Sequence, residues 1–180
     1  MFSSIDTQIL QWLHLNRFEA LDGFLQFVSA STTFVSIGLI LTVLVFSHWK
    51  RLDFMKTIRL TIVLITAALV SYGLKSLIYR ERPYDVDTAI EKLSTGGNSS
   101  FPSGHSIEAF AIATALSLIF RRKIVSIPVF LWAILVAYSR MALGVHYPTD
   151  ILAGILIGIL IGIGWNWLFE RIFNRPYTQT

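Results

Sequence analysis

The chain has no cysteine, which excludes a disulfide framework, a thiolate metal site and a cysteine nucleophile, while leaving the redox compartment open. Charge is also scarce: 14% of the 180 residues are charged against 54% hydrophobic, and the mean hydropathy is +0.62. A soluble domain carries about a quarter charged residues, so this composition belongs in a bilayer. No carboxylate cluster of the kind that holds magnesium is present, and no basic stripe interleaved with aromatics points to nucleic acid. No basic segment precedes an apolar core at the amino terminus, so a cleavable signal peptide is not expected. The apolar stretches also lack the alternation of barrel strands, which leaves helices as the spanning structure.

What the chain does have is long uncharged runs: Gly23 to Ser47, Leu60 to Leu74, Ala109 to Phe120, Ile124 to Ser139 and Ile151 to Phe169. The expectation is an all-α polytopic membrane helix bundle of about five transmembrane helices. Residues 1–180 are expected to form a single integral-membrane domain with its core over 57–169. Spans two to five are placed at Thr57 to Ile78, Ser106 to Phe120, Ile124 to Leu143 and Thr149 to Phe169, with Arg59 snorkelling to the nearer interface. An Arg121-Arg122-Lys123 turn and a short Gly144 to Pro148 link separate the last three. Residues 1–20 carry Ile5, Ile9, Trp12, Leu13 and Phe18 at helical spacing and read as an interfacial helix, with His14 on its polar face. Gly154, Gly158 and Gly162, four apart on the last span, predict close helix packing.

The charges divide by side. One side holds nine basic residues (Lys50, Arg51, Lys56, Arg59, Arg121, Arg122, Lys123, Arg171 and Arg175) against Asp53 and Glu170; the other holds six basic against nine acidic. The positive-inside tendency puts the first side in the cytoplasm and the amino terminus outside. His48 reads as a snorkelling polar residue and Arg80 as a topology determinant, while Glu108 is divided between a structural ion pair and a role beside the site.

Three stretches then converge on the non-cytoplasmic face: Lys75 to Arg82-Pro83, Pro102-Ser103-Gly104-His105, and Ser139-Arg140 through His146 to Asp150. Together they resemble the three-block signature of the type 2 phosphatidic acid phosphatase superfamily, with all eleven specified residues present in order and the internal spacings intact. The elementary chemistry agrees. Phosphoryl transfer spreads negative charge over three equatorial oxygens, which Lys75, Arg82 and Arg140 can neutralise without a metal or other cofactor, aided by Ser103 and the Gly104 N–H at a helix start. The resemblance implies that His146 is the nucleophile that forms a phosphohistidine, His105 the acid that protonates the leaving oxygen, and Asp150 the residue that orients His146.

The implied function is metal-independent hydrolysis of a lipid phosphate or diphosphate at the outer face of a bacterial-type cytoplasmic membrane. Undecaprenyl diphosphate is the first choice of substrate, followed by phosphatidylglycerophosphate, phosphatidic acid and lipid A phosphate. Transfer of the phosphoryl group to a second lipid is the alternative within the chemistry. A non-enzymatic scaffold or transporter predicts missing motif residues, and none is missing. The expected partners are the lipid substrate and the bilayer, with nucleic acid excluded and the oligomeric state left open. The Asp85-Val86-Asp87-Thr88 segment matches the D-x-D-x-T pattern of aspartyl-phosphate phosphatases but lacks the sheet that chemistry needs, and reads as solvated loop. The loop from Tyr84 to Ser100 is expected to govern substrate choice, with a flexible Thr95 to Asn98 stretch closing over the lipid while Asp85, Asp87 and Glu91 repel anionic head groups.

Overall fold

The computed structural model describes residues 4–50 and 54–173. Its helices are α1 (Ser4–Leu15), α2 (Asp22–Lys50), α3 (Met55–Leu77), the four-residue α4 (Pro83–Val86), α5 (Gly104–Phe120), α6 (Lys123–Ala142) and α7 (Pro148–Phe173), and no strand occurs among the described residues. Four of them, α2 with its preceding 3-10 turn, α3, α6 and α7, are long and apolar enough to cross a membrane. Their bounds fall within a few residues of the expected spans, because charged and turn-forming residues end each apolar run.

The fifth expected span, α5, differs in kind. Its 17 residues are buried almost continuously from Ser106 to Leu116, and α3, α6 and α7 pack around it. At 1.5 Å per residue it is roughly 26 Å long, short for a lipid-facing helix and adequate for one enclosed by protein. The α7 glycines explain the closest of these contacts. A Cβ at Gly158 would lie 2.5 Å from the Ile107 carbonyl oxygen, at Gly154 2.8 Å from that of Ser103, and at Gly162 2.7 Å from Thr114 Cβ. The two backbones therefore touch in a way only the expected small-residue stripe permits.

Apolar side chains also face outward: Ile65 and Leu69 on α3, Ile127, Leu131 and Ile134 on α6, and Leu152, Leu156 and Leu160 on α7 are all exposed. An apolar outer belt around an apolar core is what a multi-pass membrane protein presents to lipid. At the end remote from the three sequence blocks, Arg121 pairs with Glu170 at 2.7 Å and Lys56 stands over Phe120. Arg59 does more than snorkel: it donates to Asn166 at 2.7 Å, with its guanidinium over Phe169, and so ties α3 to α7. Exposed His48 also lies toward this end. Arg51, Asp53 and Arg175 lie outside the described residues.

The amino-terminal helix departs from expectation. Trp12 and Phe18 are exposed as an interfacial helix requires, but Leu10 and His14 are fully buried. His14 is not a polar-face residue. Its Nδ1 lies 3.0 Å from the Ala142 carbonyl and its Nε2 accepts from the Glu91 N–H at 3.1 Å, so the neutral ring joins α1 to the end of α6 and to the 84–100 loop. Burial accordingly lowers its pKa. The helical period alone placed His14 on the wet side because the partner surface comes from distant sequence.

Candidate active site

Each sequence block is delivered by a local device. Arg82 precedes Pro83, which confines it to extended backbone (φ −81°, ψ 153°) and turns its side chain back across the bundle end. Lys75 sits in the last turn of α3, on one helix face with Ser71 and Tyr72. Ser103 caps α5: its Oγ accepts from Ser106 Oγ at 3.0 Å and from the Ser106 N–H at 3.5 Å, and Gly104 and His105 open the helix.

The third block bends on Gly144, at φ +72°. Its N–H donates to the Met141 carbonyl and the Val145 N–H to that of Arg140, the paired bonds of a Schellman ending. A Cβ on Gly144 would also lie 2.5 Å from the Glu91 carbonyl oxygen. This turn carries the chain from Arg140 at the end of α6 to His146 at the start of α7.

Asp150 lies in the first turn of α7 and reaches back to accept from the Tyr147 N–H at 2.9 Å, half of a capping box. The same oxygen, Oδ2, accepts from Ser100 Oγ and stands 3.5 Å from His146 Nδ1, just beyond hydrogen-bond geometry, so that Nδ1 has no bonded partner. Catalytic hydrogen bonds are commonly long before substrate binds. With Nδ1 turned to Asp150, Nε2 is the ring nitrogen left for chemistry. Burial, reinforced by the Arg140 and Arg82 cations and only partly opposed by Asp150, lowers the His146 pKa to about 3, which keeps the ring neutral at physiological pH.

A cavity of about 560 Å³ opens beside these groups, and Lys75, Arg82, Gly104, His105, Arg140 and His146 all line it. Its three cations are held by neutral oxygens. Lys75 donates to the Ser99 carbonyl at 2.8 Å; Arg82 donates to the carbonyls of Gly97 (2.6 Å), Val145 (2.7 Å) and Ser99 (3.0 Å); and Arg140 donates to Ser29 Oγ, to Ser94 Oγ (3.0 Å) and to the Thr95 carbonyl (3.0 Å). Arg140 Nε is buried without a partner. Among the described residues no carboxylate forms an ion pair with any of the three. Two buried arginines and a half-buried lysine, none of them ion-paired to a carboxylate, give the cavity a positive lining suited to an anion.

The structure thus brings together seven of the eight residues expected at the site as lining or facing groups. Ser103 is the exception: it is fully buried, lies outside the cavity lining, and spends its hydroxyl on the α5 cap. Arg80 corrects its reading as a topology determinant. It is buried and pairs with Asp150 Oδ1 at 2.5 Å and Asp6 Oδ2 at 2.6 Å. Glu108 lines the cavity and accepts from Thr33 on α2 at 3.0 Å, so its partner is a hydroxyl and not the cation of an ion pair. The 84–100 loop is pinned: Thr95, Gly96 and Gly97 line the cavity, the Thr95 carbonyl accepts from Arg140 and the Gly97 carbonyl from Arg82, and Ser99 and Ser100 are buried. Asp87 accepts from Gln11 and Glu91 from Arg17, and neither they nor exposed Asp85 line the cavity. Sequence reading missed Asp6, Ser99 and Ser100, since a lone acid and two serines without motif context carry no signal of their own.

A helical membrane bundle with a cationic, histidine-bearing cavity at one end defines a class of phosphate-handling membrane enzyme. The PAP2 superfamily pattern matches residues 56–173, and the chain belongs to that superfamily. It is a membrane lipid phosphatase. It is similar to a lipid A 4'-phosphatase of Bacteroides thetaiotaomicron, 34% identical over 96% of this chain and 79% of that one. It also resembles the undecaprenyl-diphosphatase BcrC of Bacillus subtilis, 28% identical over 52% of this chain and 47% of the relative. Among solved structures, a transmembrane PAP2-type phosphatidylglycerolphosphate phosphatase from Bacillus subtilis superposes with a TM-score of 0.81 at 26% identity, covering 98% of this chain and 88% of the other.

Proposed function

We propose that the enzyme removes a phosphate monoester from a lipid head group at the extracytoplasmic membrane face, through a phosphohistidine on His146 and without a metal. The observation that carries this is the cavity itself, in which three cations without counter-charge surround two histidines, one of them backed by a carboxylate. Burial and the surrounding cations disfavour a proton on His105 in the empty site, and the entering phosphate anion offsets those cations so that His105 enters the reaction as imidazolium. His146 Nε2 attacks phosphorus in line; the bond to the lipid oxygen breaks as the His105 imidazolium donates its proton to that oxygen; Lys75, Arg82 and Arg140 neutralise the equatorial oxygens. Water, deprotonated by His105, then attacks the phosphohistidine, releasing phosphate and restoring both rings. Asp150 holds the Nδ1 proton throughout. The Gly104 N–H contributes at the α5 start, and Ser103 acts by building that start.

A lipid A-type phosphomonoester is the first substrate because the relative of that activity aligns over nearly the whole chain. Undecaprenyl diphosphate, first choice on sequence alone, becomes the second reading, supported by a relative that matches half the chain. The basic end of the bundle favours a cytoplasmic position for that end, hence an outward-facing site in a cytoplasmic membrane.

The experiment is phosphate release by the purified chain from lipid A, undecaprenyl diphosphate, phosphatidylglycerophosphate and phosphatidic acid, each with EDTA or vanadate. Preference for lipid A, activity that survives EDTA and inhibition by vanadate are expected. Activity abolished by EDTA and restored by magnesium would overturn the metal-free mechanism, and a higher kcat/KM for undecaprenyl diphosphate would reverse the substrate order.

A further inference from the structure

We infer that Asp6 and Arg80 are positioning residues for this reaction: they lock Asp150 in the rotamer that presents Oδ2 to His146, which makes the amino-terminal helix part of the catalytic apparatus. The inference rests on the reading of His146 as nucleophile and adds a layer to it.

The two oxygens of Asp150 have separate duties. Oδ2 faces His146 and takes the Tyr147 N–H and the Ser100 hydroxyl, whereas Oδ1 takes Arg80 Nη1 at 2.5 Å. Arg80 cannot swing away. Nη1 also donates to Thr149 Oγ1 at 2.8 Å, Nη2 is bound by Asp6 at 2.6 Å, and the guanidinium lies over the Tyr147 ring at 3.7 Å. Asp6 in turn accepts from the Thr149 N–H at 3.0 Å and the Thr149 hydroxyl at 2.6 Å. A carboxylate from α1 therefore caps α7 next to the carboxylate that serves His146, and both benefit from the positive end of the α7 dipole.

Two buried carboxylates, one from α1 and one from α7, meet at the first turn of α7, and Arg80 is the cation that bridges them. Its guanidinium bridges them with one nitrogen each, a fork that Lys cannot reproduce. Arg80 and Arg82, two residues apart, thus have opposite uses: the first is neutralised and structural to Asp150, while the second is held by carbonyls and lines the cavity. The charged and titratable groups around Asp150 and His146 are Asp6 from α1, Lys75 from α3, Arg80 and Arg82 from the following segment, His105 from α5, Arg140 from α6 and Tyr147 beside them. Removing the Arg80 charge leaves the Asp150 carboxylate uncompensated, which favours the imidazolium form of His146.

The test uses the full-length chain in detergent with a short-chain phosphatidic acid as probe, comparing Arg80→Met, Arg80→Lys and Asp6→Asn. Losing the residue that orients a catalytic partner is expected to lower kcat about 10- to 100-fold, with KM nearly unchanged. The acid limb of the kcat/KM profile should move to higher pH in Arg80→Met, and less so in Arg80→Lys, which keeps the charge. Asp6→Asn is nearly isosteric and serves if the Arg80 variants do not fold. It should lower kcat while the protein retains the wild-type helical content by circular dichroism. An unchanged kcat in folded variants, a kcat loss with an unmoved acid limb, or an increase in KM alone would overturn the inference. Failure of the wild type to form a histidine-linked phosphoenzyme would instead overturn the nucleophile assignment, so the two failures are distinct.

Discussion

Gly96 lies against Arg82 so closely that a Cβ on the glycine would sit 2.7 Å from the guanidinium Nε and 2.9 Å from the Tyr84 hydroxyl. The missing side chain is the space in which Arg82 reaches the Gly97, Ser99 and Val145 carbonyls. Gly96→Ala should displace Arg82 and lower kcat/KM roughly 10- to 100-fold, as small misplacements of a positioning group do. Because Arg82 is buried and gives three hydrogen bonds, displacing it should also lower the melting temperature by about a few degrees. A paired measurement of phosphate release and thermal unfolding checks this, and wild-type turnover in Gly96→Ala would show that Arg82 placement does not matter.

His146→Ala should reduce turnover by more than about 10⁴-fold, the scale seen when a nucleophile is removed from a concerted group. Labelled substrate quenched in base should leave acid-labile label on the wild type and none on the variant. Label retained by the variant would move the nucleophile elsewhere, with His105 the next candidate.

Acid should destabilise the fold through His146. Its folded pKa, about 3, lies below the 6.5 of the free side chain. Above about pH 6.5 both folded and unfolded forms are neutral, and the burial carries no proton-linked penalty. As pH falls below that, the unfolded chain takes up a proton that the folded chain refuses until about pH 3, so stability drops across that window. His14, also lowered by burial, acts in the same direction. His146→Gln should lose less melting temperature between pH 7.5 and 4.5 than the wild type; parallel slopes would mean that the ring is solvated.

Topology can be read with a single cysteine, because the chain has none of its own. Ser99, although in the 84–100 loop, is buried, whereas its neighbour Asn98 is exposed. Asn98→Cys should react with a membrane-impermeant maleimide on intact cells. Protection until lysis would place the cavity on the cytoplasmic side.

Much of the site was legible because its residues come in local blocks whose spacing is fixed by backbone geometry. The Pro83 restraint on Arg82, the Gly144 turn before His146 and the four-residue step to Asp150 are each written in contiguous sequence. The helices were legible for a similar reason, since an apolar run in lipid must satisfy its own backbone. Where neighbours come from elsewhere in the chain, sequence reading failed. Arg80 looks like any arginine near a helix end until Asp6 and Asp150 stand on either side of it, and His14 looks exposed until α6 and the 84–100 loop cover it.

The sequence by itself determined the membrane class, the helical architecture, the family and which side chains gather at one end of the bundle, because composition, period and short spacings are one-dimensional quantities. The tertiary structure decided how those side chains are charged and held. Whether a buried arginine is paired with carboxylates, as Arg80 is, or held by neutral oxygens, as Arg82 and Arg140 are, depends on which oxygens fold within reach of it. Buried electrostatics acts over a few ångströms across the bundle, between residues separated by 70 positions for Arg80 and Asp150 and by 74 for Arg80 and Asp6. Only the packed chain brings such residues to that distance.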